Sequence, residues 1–172
     1  MKKCIQTIIV SLSLSVMASP AALAEEDEQP VLVNIPRMSL DTALSAARAT
    51  IDACRKEGVQ VAVTIVDRGG HPQVVLRDVL AMDLTLAVSR DKAWTALSFN
   101  TPTSRLTQRF TSPFSVAKTP GLVFSAGGLP IQAGGAIVGG IGVSGAPSGE
   151  TDERCARAGL EAIQDDLEMA EM

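Results

Sequence analysis

Gly127-Gly128-Leu129-Pro130-Ile131, followed by Ala136-Ile137-Val138-Gly139-Gly140-Ile141-Gly142-Val143-Ser144-Gly145, is the stretch whose reading decides the fold. Residues 127–149 hold nine of the chain's 14 glycines. Glycine weakens a strand interior unless another backbone or a ligand must come close, so this density needs a physical reason. With a period of two, Ile137, Ile141 and Val143 fall on one face, with Gly139 among them. Val138, Gly140, Gly142 and Ser144 fall on the other. One face anchors a core and the other is nearly bare backbone. The reading is a central strand of a glycine-rich hairpin with something packed against its small face. That body is either a helix, from the same subunit or a neighbour, or a flat ligand. A phosphate-cradling loop is disfavoured, because the glycines lie inside an apolar strand and no Gly-x-x-x-x-Gly-Lys-Ser/Thr run occurs.

Upstream, Ser39 is placed to cap a helix that runs to Gly58. Its apolar stripe is Leu40, Leu44, Ala47, Ile51 and Cys54. Val59 to Asp67 reads as a strand with Val61, Val63 and Ile65 on one face. Arg68-Gly69-Gly70-His71 turns the chain into a second strand over residues 73–77, giving a hairpin. Residues 80–99 read as a helix whose apolar side chains wrap around it, so cover from more than one side is expected, including from a neighbouring subunit. Thr101-Pro102 opens a short helix to about Phe110, a loop with Pro113 and Pro120 follows, and Leu122 to Ala126 reads as a further strand. A last helix begins near Thr151, with Cys155, Gly159, Ile163 and Leu167 on its buried stripe.

The first residues carry an address. Met1-Lys2-Lys3, the apolar run from Ile5 to Val16 and Ala22-Leu23-Ala24 have the pattern of a secretory signal peptide over residues 1–24. The apolar run is too short for a membrane span. Cleavage after Ala24 removes Lys2 and Lys3, so 13 basic side chains face 19 acidic ones, a net charge of −6. That balance argues against nucleic acid or an anionic membrane surface as partner. Residues 25–37 are expected to form a disordered acidic lead-in, and 38–172 a single domain. The expected location is periplasmic or secreted, where disulfides persist. If the strands at 59–67 and 136–144 pair antiparallel, the end of the first helix lies beside the start of the last. Cys54 and Cys155 then fall together, either as a disulfide or as two buried thiols.

Certain of these blocks resemble a known family. They are Asp41-x-Ala43, Val63-x-Ile65-Val66-Asp67-x-Gly69-Gly70-His71, Arg90-Asp91-Lys92-Ala93-Trp94-Thr95-Ala96, Thr101-Pro102-Thr103, and the two glycine-rich runs extended to Ala146. In order and spacing they are similar to the GlcG/HbpS family, also called DUF336 or the haem-binding protein family. The resemblance implies an α/β fold, a three-layer α-β-α sandwich around an antiparallel sheet of about five strands (profilin/roadblock-like), and assembly into homo-oligomers. For some members it implies binding of haem or a related tetrapyrrole; others accompany glycolate or diol metabolism. The chain departs from the family pattern at Arg77-Asp78-Val79-Leu80-Ala81, where the family usually reads Arg-Met-Asp-Gly-Ala, in a loop expected to border the pocket.

His71 is the only histidine. Imidazole suits an axial haem ligand or a general base, and the resemblance places His71 where some members have a ligand-facing histidine. The plainer reading is a solvated turn residue. Met82 is a candidate second axial ligand or, equally, a core residue. Lys92 would pair with an anionic group of a ligand or act as an amine base; the plain alternative is an exposed lysine. Arg90 and Arg105 are further candidates for an anionic contact. The expected cofactor-binding set is His71, Lys92 and Arg90, with Gly127, Gly128, Pro130, Gly140 and Gly142 as the bare surface. Asp67 reads as a turn-former. No zinc set and no Ser-His-Asp order is present. Three functions follow: an exported haem- or small-molecule-binding homo-oligomer, a small-acid isomerase or lyase using Lys92 and His71, or a ligand-free accessory of a periplasmic oxidoreductase.

Overall fold

The computed structural model describes residues 31–110 and 116–170; the expected signal peptide over 1–24 and residues 25–30 of the acidic lead-in lie outside them. Its main elements are α1 (Leu40–Lys56), β1 (Ala62–Asp67), β2 (Pro72–Arg77), α2 (Leu84–Phe99), β3 (Gly128–Ala133), β4 (Ala136–Ser144), α3 (Gly149–Glu161) and α4 (Gln164–Met169). The strands form one antiparallel sheet in the order β2-β1-β4-β3. Helices α1 and α3 cover one face and α2 the other, which is the three-layer architecture expected.

Local chemistry sets the boundaries. Ser39 caps α1 by accepting from the Thr42 N–H at 3.1 Å. At the other end Gly58 adopts φ +77° and the Val59 N–H returns to the Cys54 carbonyl at 3.1 Å. That amide closes the helix, which is why β1 starts at Ala62 and not at Val59. The stripe of α1 is also rotated from the expected one. Leu40 is exposed, whereas Ala43, Ala46, Ala47, Thr50, Ile51 and Cys54 are buried. Small residues let α3 close in, and a β-carbon at Gly159 would lie 1.9 Å from Thr50 Oγ1.

Cys54 and Cys155 are joined as a disulfide across this α1–α3 contact, with their Cα atoms 5.4 Å apart. The bond closes a sequence separation of 101 residues, and bridges over long loops restrict the unfolded chain most. The double variant Cys54→Ser/Cys155→Ser is expected to lose about 2–4 kcal/mol in urea melts. Added reductant should then have no further effect on it.

The glycine-rich hairpin is present, with two changes. Val138 is a bulge: Ile131 pairs with Gly139, but Gln132 pairs with Ile137. The extra residue exchanges two side chains, so Val138 joins the α1–α3 core while Ile137 packs against Val66, Ala93 and Leu97 under α2. The second change is the sheet, which has four strands among the described residues because residues 122–126 form none. Their polar groups are used elsewhere: the Leu122 N–H bonds the Thr119 carbonyl, and the Val123 N–H bonds Thr95 Oγ1 of α2 at 3.0 Å. Phe124 packs with Phe99 and Phe110, ring centroids 5.2–5.8 Å apart. The helix expected from Pro102 to Phe110 is only a 3-10 turn at Thr103–Leu106.

Helix α2 starts at Leu84, later than residue 80, because residues 78–83 make turns. Its buried face is Thr85, Ser89, Lys92, Ala93 and Ala96, small or polar residues that fit the glycine face of β4. Val79, Leu80, Met82 and Leu84 are exposed in this single chain.

Candidate functional site

The bare strand face is filled by α2. A β-carbon at Gly142 would lie 2.0 Å from the Ser89 carbonyl oxygen, and one at Gly140 2.5 Å from that of Ala93. At Gly128 it would meet the Lys92 carbonyl at 2.5 Å, and at Gly127 Lys92 Nζ at 2.7 Å. Pro130 sits half-buried in β3, an edge strand, where proline is tolerated. The assignment of Gly127, Gly128, Gly140 and Gly142 to a ligand surface is therefore corrected: this chain's own helix, side chains and backbone occupy that space.

Lys92 is corrected in the same way. Its side chain is 4% exposed and donates to Asp152 Oδ2 at 2.8 Å and to the Val143 carbonyl at 2.9 Å. Asp152 also accepts from the Ala146 N–H at 3.0 Å. Desolvation raises the Asp152 pKa above its ordinary value, although the Lys92 hydrogen bond and charge and the Ala146 amide pull it down. Lys92 ties α2, β4 and α3 together and does not line the cleft that holds His71.

That cleft lies between the β1–β2 turn, the outer side of α2 and the Pro120-Gly121 turn, with a volume of about 350 Å³. His71, Arg90, Asp91 and Trp94 meet there. The turn is built on Asp67, whose Oδ1 accepts from the Gly69 and His71 N–H groups at 2.9 Å each. Burial pushes the Asp67 carboxyl up, but those two amides, with the charges of His71 and Arg37, bring it below the usual value. His71 carries its imidazole 83% exposed, with Nδ1 3.5 Å from Asp67 Oδ1. Arg90 donates from Nε and Nη2 to Asp91 Oδ1 at 3.0 and 2.6 Å, which holds its guanidinium at the rim. Trp94, the only tryptophan, fills the space beside Gly70 and Gly121. A β-carbon at Gly70 would lie 2.7 Å from the indole Cδ1.

The structure thus brings together two of the expected residues, His71 and Arg90, and adds Asp91 and Trp94. Both belong to the Arg90–Ala96 block, and their spacing on α2 puts them on one side, away from Lys92 and Ala93. Arg105 lies in the 3-10 turn and Met82 is exposed ahead of α2; neither lines the cleft. The divergent loop at residues 77–81 does not line it either. Asp78 instead binds Arg55 of α1, from Nε at 3.0 Å and Nη2 at 2.5 Å. The Arg55 hydrogen bonds lower the Asp78 pKa, burial opposes them, and the guanidinium charge adds to the lowering. A carboxylate lowered by folding contributes stability that is present above its ordinary pKa of 3.8 and is lost as the pH falls through the depressed value. Asp78→Asn is therefore expected to flatten the acid limb of stability measured by urea melts below pH 3.8.

The donor set fits a haem-type ligand at one edge. One imidazole nitrogen is available to a metal, a guanidinium suits a propionate, and an indole offers a flat apolar wall. Among the described residues no group of three or more His, Cys, Asp or Glu side chains is placed to hold a bare metal ion.

Fold and cleft together define a small α/β sandwich with an open cleft beside its first hairpin. The family described as haem degrading protein HbpS-like matches residues 38–161, and the chain belongs to that family. A crystal structure of HbpS is 43% identical over 77% of this chain and 94% of that one, with a TM-score of 0.74. A double mutant of Streptomyces reticuli HbpS is 38% identical, covering 89% and 99% of the two chains, also at 0.74. A PduOC:heme complex is 27% identical over 74% and 96%, at 0.67. Comparison with curated proteins returns no match.

Proposed function

We propose that this HbpS-like chain is an exported haem-binding protein, and that it takes the tetrapyrrole at the His71 cleft. The observation that carries this reading is the convergence of His71, Arg90 and Trp94 on one cleft. A family described as haem degrading and a relative crystallised with heme support it. When bound, haem would supply an iron centre with its redox and ligand chemistry. The protein's part is to offer the imidazole, to meet a propionate with Arg90 and to cover one porphyrin face with Trp94. The small-acid isomerase reading needs Lys92 and His71 at one substrate, and the buried Lys92–Asp152 pair removes Lys92 from that task.

Absorbance titration of the mature protein with haemin tests the proposal. Saturable binding with a shifted Soret band is expected, weakened at least about 10-fold in His71→Ala and less in Arg90→Ala. Equal titrations of wild type and His71→Ala would overturn the assignment of the cleft.

Export is supported by the pattern of residues 1–24 and by the Cys54–Cys155 disulfide. N-terminal sequencing of the protein secreted from a bacterial host is expected to begin at Glu25. Self-association is supported by the exposed row of Val79, Leu80, Met82 and Leu84. Sedimentation is expected to give more than one copy per particle, and Leu84→Glu to lower that number.

A further inference from the structure

We infer that Asp67 and Gly69 are positioning residues that fix which nitrogen of His71 carries its proton and which is left free for a ligand. The hairpin turn is held by its own backbone: Asp67 N–H to the His71 carbonyl and Gly70 N–H to the Asp67 carbonyl, both at 2.9 Å. The Asp67 carboxylate adds the two amides of Gly69 and His71. The start of the imidazole is thus anchored at the residue whose Oδ1 lies 3.5 Å from its Nδ1. Gly69 supplies the second observation. A β-carbon there would lie 2.9 Å from His71 Nδ1, 3.1 Å from Cε1 and 3.3 Å from Asp67 Oδ1. The Nδ1 edge of the ring therefore rests against the turn at Gly69, where a side chain would press on it.

Two consequences follow for the ring. A proton on Nδ1 faces a carboxylate, whereas a bare Nδ1 would set its lone pair against that negative charge. The Nδ1–H tautomer is favoured, and Nε2 is left unprotonated on the outward side of a highly exposed side chain. A histidine whose second nitrogen is oriented by a carboxylate is the arrangement that metal-ligating imidazoles adopt. Arg37 stands 3.8 Å from the other Asp67 oxygen, so the carboxylate also has a cation behind it. This deepens the haem reading and rests on it only for its purpose; the tautomer belongs to the ligand-free protein.

The test uses that independence. His71 is the chain's only histidine, so the mature protein labelled with nitrogen-15 histidine gives one imidazole to read. At a pH where the ring is neutral, the Nδ1–H form is expected to predominate, unlike in an unstructured peptide spanning residues 68–74. Asp67→Asn keeps an oxygen for the Gly69 and His71 amides but removes the charge, and is expected to return the tautomer ratio toward that of the peptide. Gly69→Ala, a second variant, is expected to displace the ring and do the same. A wild-type ratio equal to the peptide's, or one unchanged in both variants, would overturn the inference. Haemin titration is then read separately, with Asp67→Asn expected to bind roughly 10-fold more weakly than wild type. A fixed tautomer in a protein that takes up no haemin would sink the haem reading and leave the positioning intact.

Discussion

Gly142→Val is expected to unseat α2 from the sheet, giving a protein that is insoluble or melts far below wild type. Even Gly142→Ala should cost about 3 kcal/mol or more, a fall of roughly 10 °C in melting temperature. The reason is geometric. The added carbon would meet backbone atoms, the Ser89 carbonyl at 2.0 Å and the Ala93 nitrogen at 2.5 Å, and no rotamer change can clear them. Gly135 is the contrast, since a β-carbon there meets nothing within 4 Å. Its φ of +74° still asks for a residue that accepts the left-handed region, so Gly135→Asn is the fair control and should melt close to wild type. If instead Gly142→Ala melted normally and lost only haemin uptake, the β4 face would be a ligand surface after all.

Lys92→Met is expected to be nearly as severe, at about 3–5 kcal/mol. Truncation leaves the Asp152 carboxylate buried with only the Ala146 amide to satisfy it, while the Val143 carbonyl loses its lysine donor. Because desolvation already raises the Asp152 pKa, the sign with pH is fixed. A carboxyl raised by folding binds its proton more readily in the native state, so its penalty is present above the folded pKa and relieved as the pH falls through it. The Lys92→Met variant should therefore become relatively more stable as the pH drops from neutral toward the ordinary aspartate value of 3.8. The double variant Lys92→Met/Asp152→Leu should recover most of the loss, since two apolar groups remove both buried charges. Equal stability of the single and double variants in urea melts would contradict this account of the pair.

These two residues also show how far the sequence could be read. The glycines at 140 and 142 announced a close approach, and α2 supplies it; what approached was not legible, because a helix backbone and a flat ligand ask the same thing of a strand. Lys92 misled for a different reason. A lone lysine on a helix is usually solvated, and its partner Asp152 lies 60 residues on, beyond the reach of any local pattern. The Val138 bulge is a single inserted residue that reverses the side-chain parity of Ile137 and Val138, and a period-two count cannot detect it. Residues 122–126 had the apolar character of a strand, yet Thr95, Thr119 and the Phe99–Phe110 rings claimed their polar and apolar groups first. Of the site, His71 and Arg90 were readable as chemistry. Trp94 and Asp91 stood in the matched block, but only the helical phase around Ala93 shows that they face the cleft while Lys92 turns inward.

Placement of the ligand is the central claim, and the composition makes it directly measurable. With one tryptophan and one histidine in the chain, a nitrogen-15 correlation spectrum titrated with diamagnetic gallium protoporphyrin reports on the cleft through single, unambiguous signals. The account predicts that the Trp94 indole N–H and the amides of Gly70 and His71 shift first and furthest, with Gly134 and Gly135 of the β3–β4 turn unmoved. Shifts centred on Gly134 and Gly135, with the Trp94 indole left in place, would contradict it.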